Sequence, residues 1–117
     1  MKLVKWEAKE REDKQWYSKK ILLSEEELKN PWSLVQMIKI KAWDTAESHH
    51  YKLQTEIFYL LNENWYRIVN GEEIHPKIWD TLVIEPNDKH TVIASKTADY
   101  IYLAFKINYD SKDLYRD

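Results

Sequence analysis

Residues 99–107, Asp-Tyr-Ile-Tyr-Leu-Ala-Phe-Lys-Ile, alternate between two sets of side chains and decide the fold class. Ile101, Leu103 and Phe105 project to one face, whereas Tyr102 projects to the other. Successive side chains of a β-strand point to opposite faces of its sheet, so this period of two indicates a strand.

Similar short segments recur towards the N-terminus. At residues 34–41 the same period places Gln36 and Ile38 on one side and Val35 and Met37 on the other. Further strands are predicted at residues 56–61, 65–69, 72–74, 80–85 and 90–94. Short strands separated by turns at a spacing of about ten residues are typical of an all-β sandwich or barrel.

Two local signals mark the connections. Asn70-Gly71 is the strongest hairpin signal in the chain, because both residue types tolerate a positive φ. Ser24 and Glu27 form a capping-box pattern, which predicts a short helix that ends before Pro31. We therefore expect an N-terminal segment, residues 1–33, to pack on the barrel or on a dimer partner, and residues 34–117 to form the barrel with a C-terminal tail.

Composition excludes several classes of protein. The 117 residues suit one domain, and no apolar run approaches the roughly 20 residues that a membrane-spanning helix needs. The net charge of −2 comes from 18 basic and 20 acidic residues that are well mixed, so neither nucleic acid nor a membrane is an expected partner. The absence of cysteine excludes thiolate metal sites, and the single glycine disfavours glycine-rich phosphate loops. A reducing, cytoplasmic setting is compatible with this composition.

Two segments carry the residues that point to chemistry. In the first, residues 43–63, His49 and Tyr51 are separated by one residue, and Glu56 follows after four more. In the second, residues 79–90, Asp80 opens an apolar strand that ends at a proline-containing turn, and His90 follows the turn.

These two segments resemble the two motifs of the cupins. Trp43 and Trp79 stand where the motifs have their opening glycines, and Tyr51 takes the place of the second histidine. The resemblance covers roughly residues 34–107. It implies a small jelly-roll barrel with the motif side chains facing its interior.

The resemblance further implies that His49, Glu56 and His90 hold a divalent ion. Imidazole nitrogen and carboxylate oxygen suit iron, manganese, zinc, nickel or cobalt, and the sequence does not select among them. A phenol has an ordinary pKa near ~10, so Tyr51 is more suited to orient water or substrate as an acid–base group than to bind the ion. His50 would become a ligand only if a bulge shifted the strand register.

The functional expectation is a barrel that binds a divalent metal ion and a small polar molecule, with possible oxygenase, isomerase or lyase activity. The alternative is a metal-free module that binds a small molecule or carbohydrate. Exposed aromatic residues favour a homodimer. Trp43 and Trp79 would serve as an aromatic rim for a ligand or pack against a neighbouring segment.

Overall fold

A computed structural model describes residues 1–63, 65–93 and 98–117. These residues form eleven strands and one short α-helix. The strands are β1 Glu12–Asp13, β2 Tyr17–Leu23, β3 Ser33–Ile40, β4 Ala46–His50, β5 Thr55–Leu60, β6 Tyr66–Val69, β7 Glu72–Ile74, β8 Thr81–Ile84, β9 His90–Ile93, β10 Tyr100–Ile107 and β11 Tyr115–Arg116, and the helix is α1 Glu25–Leu28.

The strands form two antiparallel sheets. The larger sheet has the order β1-β2-β3-β10-β5-β8, and the smaller has the order β11-β4-β9-β6-β7. Consecutive strands often lie in different sheets, so the chain crosses repeatedly from one sheet to the other. The predicted all-β jelly-roll barrel is thereby confirmed.

The two central strands of the larger sheet, β3 and β10, each bury one face. Every second residue of β3, from Leu34 to Ile40, is buried. In the adjacent β10, Tyr102 and Ala104 are buried, whereas Leu103 on the opposite face is half-buried. The tyrosine-bearing face of β10 therefore faces the interior, and its aliphatic face lies outside.

Most predicted strands appear within one or two residues of the predicted ends. The segment at 90–94 is observed as β9, and Ala94 lies outside the described residues. Two strands were not predicted in the N-terminal segment, and the longer of them, β2, pairs with β3 from Tyr17 to Leu23. That segment packs on the barrel by extending its larger sheet.

Both local signals have the predicted structure. Asn70 and Gly71 have φ values of 50° and 82° and connect β6 to β7. The Ser24 side chain accepts a hydrogen bond from the Glu27 amide, and the Glu27 carboxylate accepts one from the Ser24 amide. The helix ends at Lys29 in the left-handed region, with φ at 54°.

The C-terminal tail is attached to the barrel by a buried carboxylate. Asp113 accepts hydrogen bonds from the backbone amides of Lys52, Leu53 and Gln54 at 2.9 to 3.0 Å. Burial alone would raise the pKa of Asp113, but these three amides outweigh it and lower the pKa.

We expect Asp113→Ala to lower the free energy of unfolding by about 2 kcal/mol or more, because it leaves amides near the β4–β5 connection without an acceptor. Urea denaturation of the variant and of Glu72→Gln, an exposed carboxylate in β7, measures the difference. Equal stability of the two variants would show that this carboxylate does not hold the tail.

Candidate functional site

A cavity of about 240 Å³ lies between the two sheets and is called the central cavity here. Both sheets contribute side chains to it, and Lys14 to Tyr17 line it from the N-terminal segment. Its polar and ionisable lining includes Gln36, His49, Tyr51, Glu56, Arg67 and His90.

A bulge in β4 directs His49 into the cavity. Ala46 pairs with Val92 and His49 pairs with His90, so the register between β4 and β9 shifts between these pairs. Without the shift, residues three apart would face opposite sides of the sheet. With it, both Ala46 and His49 line the central cavity.

The predicted site residues meet in the cavity. The rings of His49 and His90 lie 4.2 Å apart between centroids, and Tyr51 lies 5.5 Å from His49 and 5.9 Å from His90. Glu56 approaches from the opposite sheet, with its Oε1 3.9 Å from His90 Nε2. Both partners of this last pair are almost completely buried.

The Tyr51 hydroxyl interacts with the carboxylate of Glu56, while its ring lies against the two imidazoles. Its hydroxyl donates a hydrogen bond to Glu56. Burial, the nearby negative charge of Glu56 and this hydrogen bond together raise the pKa of Tyr51 far above its ordinary value. The phenol is therefore a permanent hydrogen-bond donor in this cavity.

Backbone carbonyls fix the orientation of both imidazoles. His49 Nδ1 lies 2.7 Å from the Glu47 carbonyl oxygen, and His90 Nδ1 lies 2.9 Å from the Asp88 carbonyl oxygen. A carbonyl can only accept, so each Nδ1 carries a hydrogen and the Nε2 atom of the neutral ring is left as an acceptor.

Burial keeps His90 neutral. It lowers the pKa of His90 to about 4, with a further contribution from neighbouring His49 and partial opposition from the Asp88 carbonyl and Glu56. At neutral pH, His90 Nε2 is thus an acceptor, and it faces Glu56 Oε1. Their 3.9 Å separation is too long for a hydrogen bond between them.

The side chains are of the kinds that bind divalent metals, but their arrangement does not fit a metal. Among the described residues, no group of three or more His, Asp and Glu side chains is placed to hold an ion. The Tyr51 hydroxyl donates to the Glu56 carboxylate, and Arg67, a buried cation, lines the same cavity. A permanent cation in the same cavity opposes the binding of another cation.

The other histidines lie elsewhere. His50, the reserve ligand, contacts Asp117 at 2.7 Å and stacks on Tyr115 instead of entering the cavity. His75 is exposed and stacks on Tyr66.

The two tryptophans in place of motif glycines keep the backbone conformation of glycine. Trp43 and Trp79 have φ values of 76° and 72°, and their side chains are 69% and 60% exposed. Neither lines the central cavity, so they do not form a rim of this site.

Arg67 is the cavity residue that the sequence analysis missed. It lies on β6 between Trp65 and Val69 on the same face, and it is only 3% exposed. In the sequence, Arg67 alternates with Trp65 and Val69 and therefore shares their face of the strand. A charged residue on an otherwise apolar face is the signal that could have identified it.

Comparison with known proteins identifies the family of folds to which the barrel belongs. No family model matches the chain, and no curated protein matches it. Among solved structures, a cupin-2 domain protein from Rhodospirillum rubrum matches with a TM-score of 0.82 and 9% identity, covering 99% of this chain and 80% of that one. The chain has the cupin fold.

Two further solved structures with the cupin fold match the chain. KdgF from Halomonas sp. matches with a TM-score of 0.79 and 13% identity, over 95% of this chain and 96% of that one. Pac13 from Streptomyces, described as a nucleoside dehydratase, matches with a TM-score of 0.79 and 12% identity, over 100% and 91%. At these identities the likeness concerns the cupin barrel alone.

In the described part of the chain no helix is long and apolar enough to cross a membrane.

The depressed pKa of His90 predicts a specific pH dependence of stability. Between pH 6.5 and about pH 4 the unfolded chain binds a proton at His90 and the native cupin barrel does not, so stability falls as the pH falls through this window. Relative to His90→Gln, the wild type should lose about 3 kcal/mol more between pH 7 and pH 4.

Urea denaturation at a series of pH values measures this difference. His75→Gln, which removes an exposed imidazole, should follow the wild-type curve. Parallel curves for the wild type and His90→Gln would mean that His90 titrates normally in the native state.

Proposed function

We propose that this cupin barrel binds a small polar molecule in its central cavity without a metal ion and moves a proton on it. The observation that carries this proposal is the buried pair of Glu56 Oε1 and His90 Nε2, 3.9 Å apart at the cavity wall. Two acceptors with no hydrogen between them are satisfied by a donor that comes from a ligand.

The pair sets the geometry of the reaction. A ligand hydroxyl or acidic C–H between the two acceptors lies within reach of both. Glu56 accepts the proton, and the neutral His90 ring orients the reacting group through Nε2. Tyr51 holds the carboxylate by its hydrogen bond and restricts its rotation.

The products follow from the same groups. A proton taken from carbon by Glu56 can return at a neighbouring atom, which is isomerisation, or leave with a hydroxyl group as water, which is elimination. The low polarity of the surrounding strands strengthens each of these interactions. We therefore assign the chain to acid–base chemistry of the isomerase or lyase type.

Two further observations support this assignment. The cavity volume of about 240 Å³ lies below the usual range for drug-sized ligands, so the ligand is small. The structural neighbour Pac13 is described as a nucleoside dehydratase, and one of its structures contains uridine. A barrel of this architecture therefore accommodates elimination chemistry in another protein.

Metal binding is the first test. Chelator-treated protein titrated with Mn²⁺, Zn²⁺ and Co²⁺ in a calorimeter should show no saturable one-to-one binding, because the described side chains do not form a metal-holding set. One equivalent of any of these ions, bound by the wild type and by His75→Gln but not by His90→Gln, would contradict the metal-free assignment.

Ligand binding and turnover are the second test. Nucleosides, sugars and small hydroxy acids are screened by thermal shift in chelator, and bound compounds are followed by proton NMR in deuterated water. For a compound that exchanges or eliminates, Glu56→Gln should lower the rate about 100-fold or more and change affinity much less.

Glu63→Gln is the matched control, since Glu63 is exposed outside the central cavity. It should keep the wild-type rate. A rate unchanged by Glu56→Gln, or binding that disappears when the metal is removed, would contradict the proposed chemistry.

A further inference from the structure

Arg67 is a buried cation without an anionic partner. Its side chain is 3% exposed, and none of the described carboxylates forms an ion pair with it. Burial of an unpaired charge is among the most expensive arrangements in a protein interior. Its position on β6, opposite Val92 of β9, directs it into the central cavity.

Aromatic rings hold the guanidinium in place. It lies 4.3 Å from the ring of Phe58 and 4.9 Å from the ring of Tyr102, and its Nε donates to the Tyr100 hydroxyl at 3.4 Å. Burial would lower the pKa of Arg67, but the two tyrosine oxygens outweigh it, so the side chain stays charged. The rings fix its plane and do not neutralise it.

Two buried polar atoms, both on residues that line the cavity, have no hydrogen-bond partner. One is Arg67 Nη2, a donor, and the other is Gln36 Oε1, an acceptor whose side chain is 1% exposed. Both residues line the central cavity. A buried donor on a cation requires an acceptor, best an anionic one, and a buried amide oxygen requires a donor.

The charge of the lining favours an anion. The charged side chains that line the cavity are Lys14, Glu47, Glu56, Arg67, Lys106 and Arg116. Glu47 and Arg116 form an ion pair at 3.1 Å and offset each other. The others carry three positive charges against one negative charge, although the whole chain has a net charge of −2. Such a local excess concentrates anions at the cavity.

We propose that the ligand of the central cavity is a small hydroxycarboxylate, whose carboxylate is bound by Arg67 and whose hydroxyl groups face Gln36 and the acceptor pair. The inference rests on the proposed function in one respect: the acceptor pair of Glu56 and His90 binds a hydroxyl group of the same ligand. Planar carboxylate oxygens match the flat guanidinium, and three acceptors in the same cavity match hydroxyl donors.

Binding of matched probes tests the proposal without any turnover. L-Lactate and L-tartrate are titrated into chelator-treated protein beside L-lactamide and L-tartramide, with inorganic phosphate as a further arm. The Nε–H signals of the three arginines are followed by ¹⁵N NMR. The carboxylates should shift the signal of buried Arg67 and the amides should not.

Variants of Arg67 and Gln36 test whether these two residues bind the ligand. Arg67→Met should weaken carboxylate binding about 10- to 100-fold, and Arg67→Lys, which keeps the charge, should weaken it less. Arg11→Met removes an exposed arginine and should have no effect. Gln36→Leu should abolish the preference for L-lactate over propionate.

Three results would overturn the proposal: amides that bind as tightly as the acids, binding of phosphate in place of the carboxylates, or carboxylate affinity unchanged in both Arg67 variants. If Arg67→Met does not fold, Arg67→Lys and the probe comparison on the wild type decide. Loss of turnover without loss of binding, as in Glu56→Gln, would concern the proposed function and not this subsite.

Discussion

The two sheets of the barrel bury ionisable side chains between them, and the rest of the structure depends on how these side chains are placed. Glu56 on the larger sheet and His90 on the smaller one face each other at 3.9 Å, and both are almost completely buried. An apolar pair at these positions would pack with less desolvation. The barrel instead keeps two polar groups that are too far apart to bond each other, and this pair is what the central cavity offers a ligand.

The surrounding elements keep this arrangement in place. The β4 bulge turns His49 inward, the Asp88 carbonyl fixes the His90 ring, and Tyr51 restrains the Glu56 carboxylate. The restraints come from two segments that lie far apart along the chain, residues 46–51 and the turn before β9. The site is therefore a product of the closed barrel, and it cannot persist in either sheet alone.

The sequence predicts the features that depend on neighbouring residues better than those that depend on contacts between distant parts of the chain. Strand alternation, the capping box of Ser24 and the turn at Gly71 are local, and all appear in the structure. The resemblance of two segments to the cupin motifs implied that His49, Glu56 and His90 face the barrel interior, and all three line the central cavity. Strand β2 was missed because its lysines obscure the alternation, and its position depends on pairing with β3. The function of Tyr51 as a donor to Glu56, and the isolation of Arg67, require the packing of both sheets and are absent from any local pattern.

The protonation of His90 is the most direct test of this account. Nitrogen-15 NMR of the imidazole in chelator-treated protein should show a neutral ring with hydrogen on Nδ1 and a bare Nε2 from pH 7.5 down to about pH 5. A ring that is charged at pH 6, or whose Nε2 carries the hydrogen at neutral pH, would remove the acceptor on which the proposed chemistry depends.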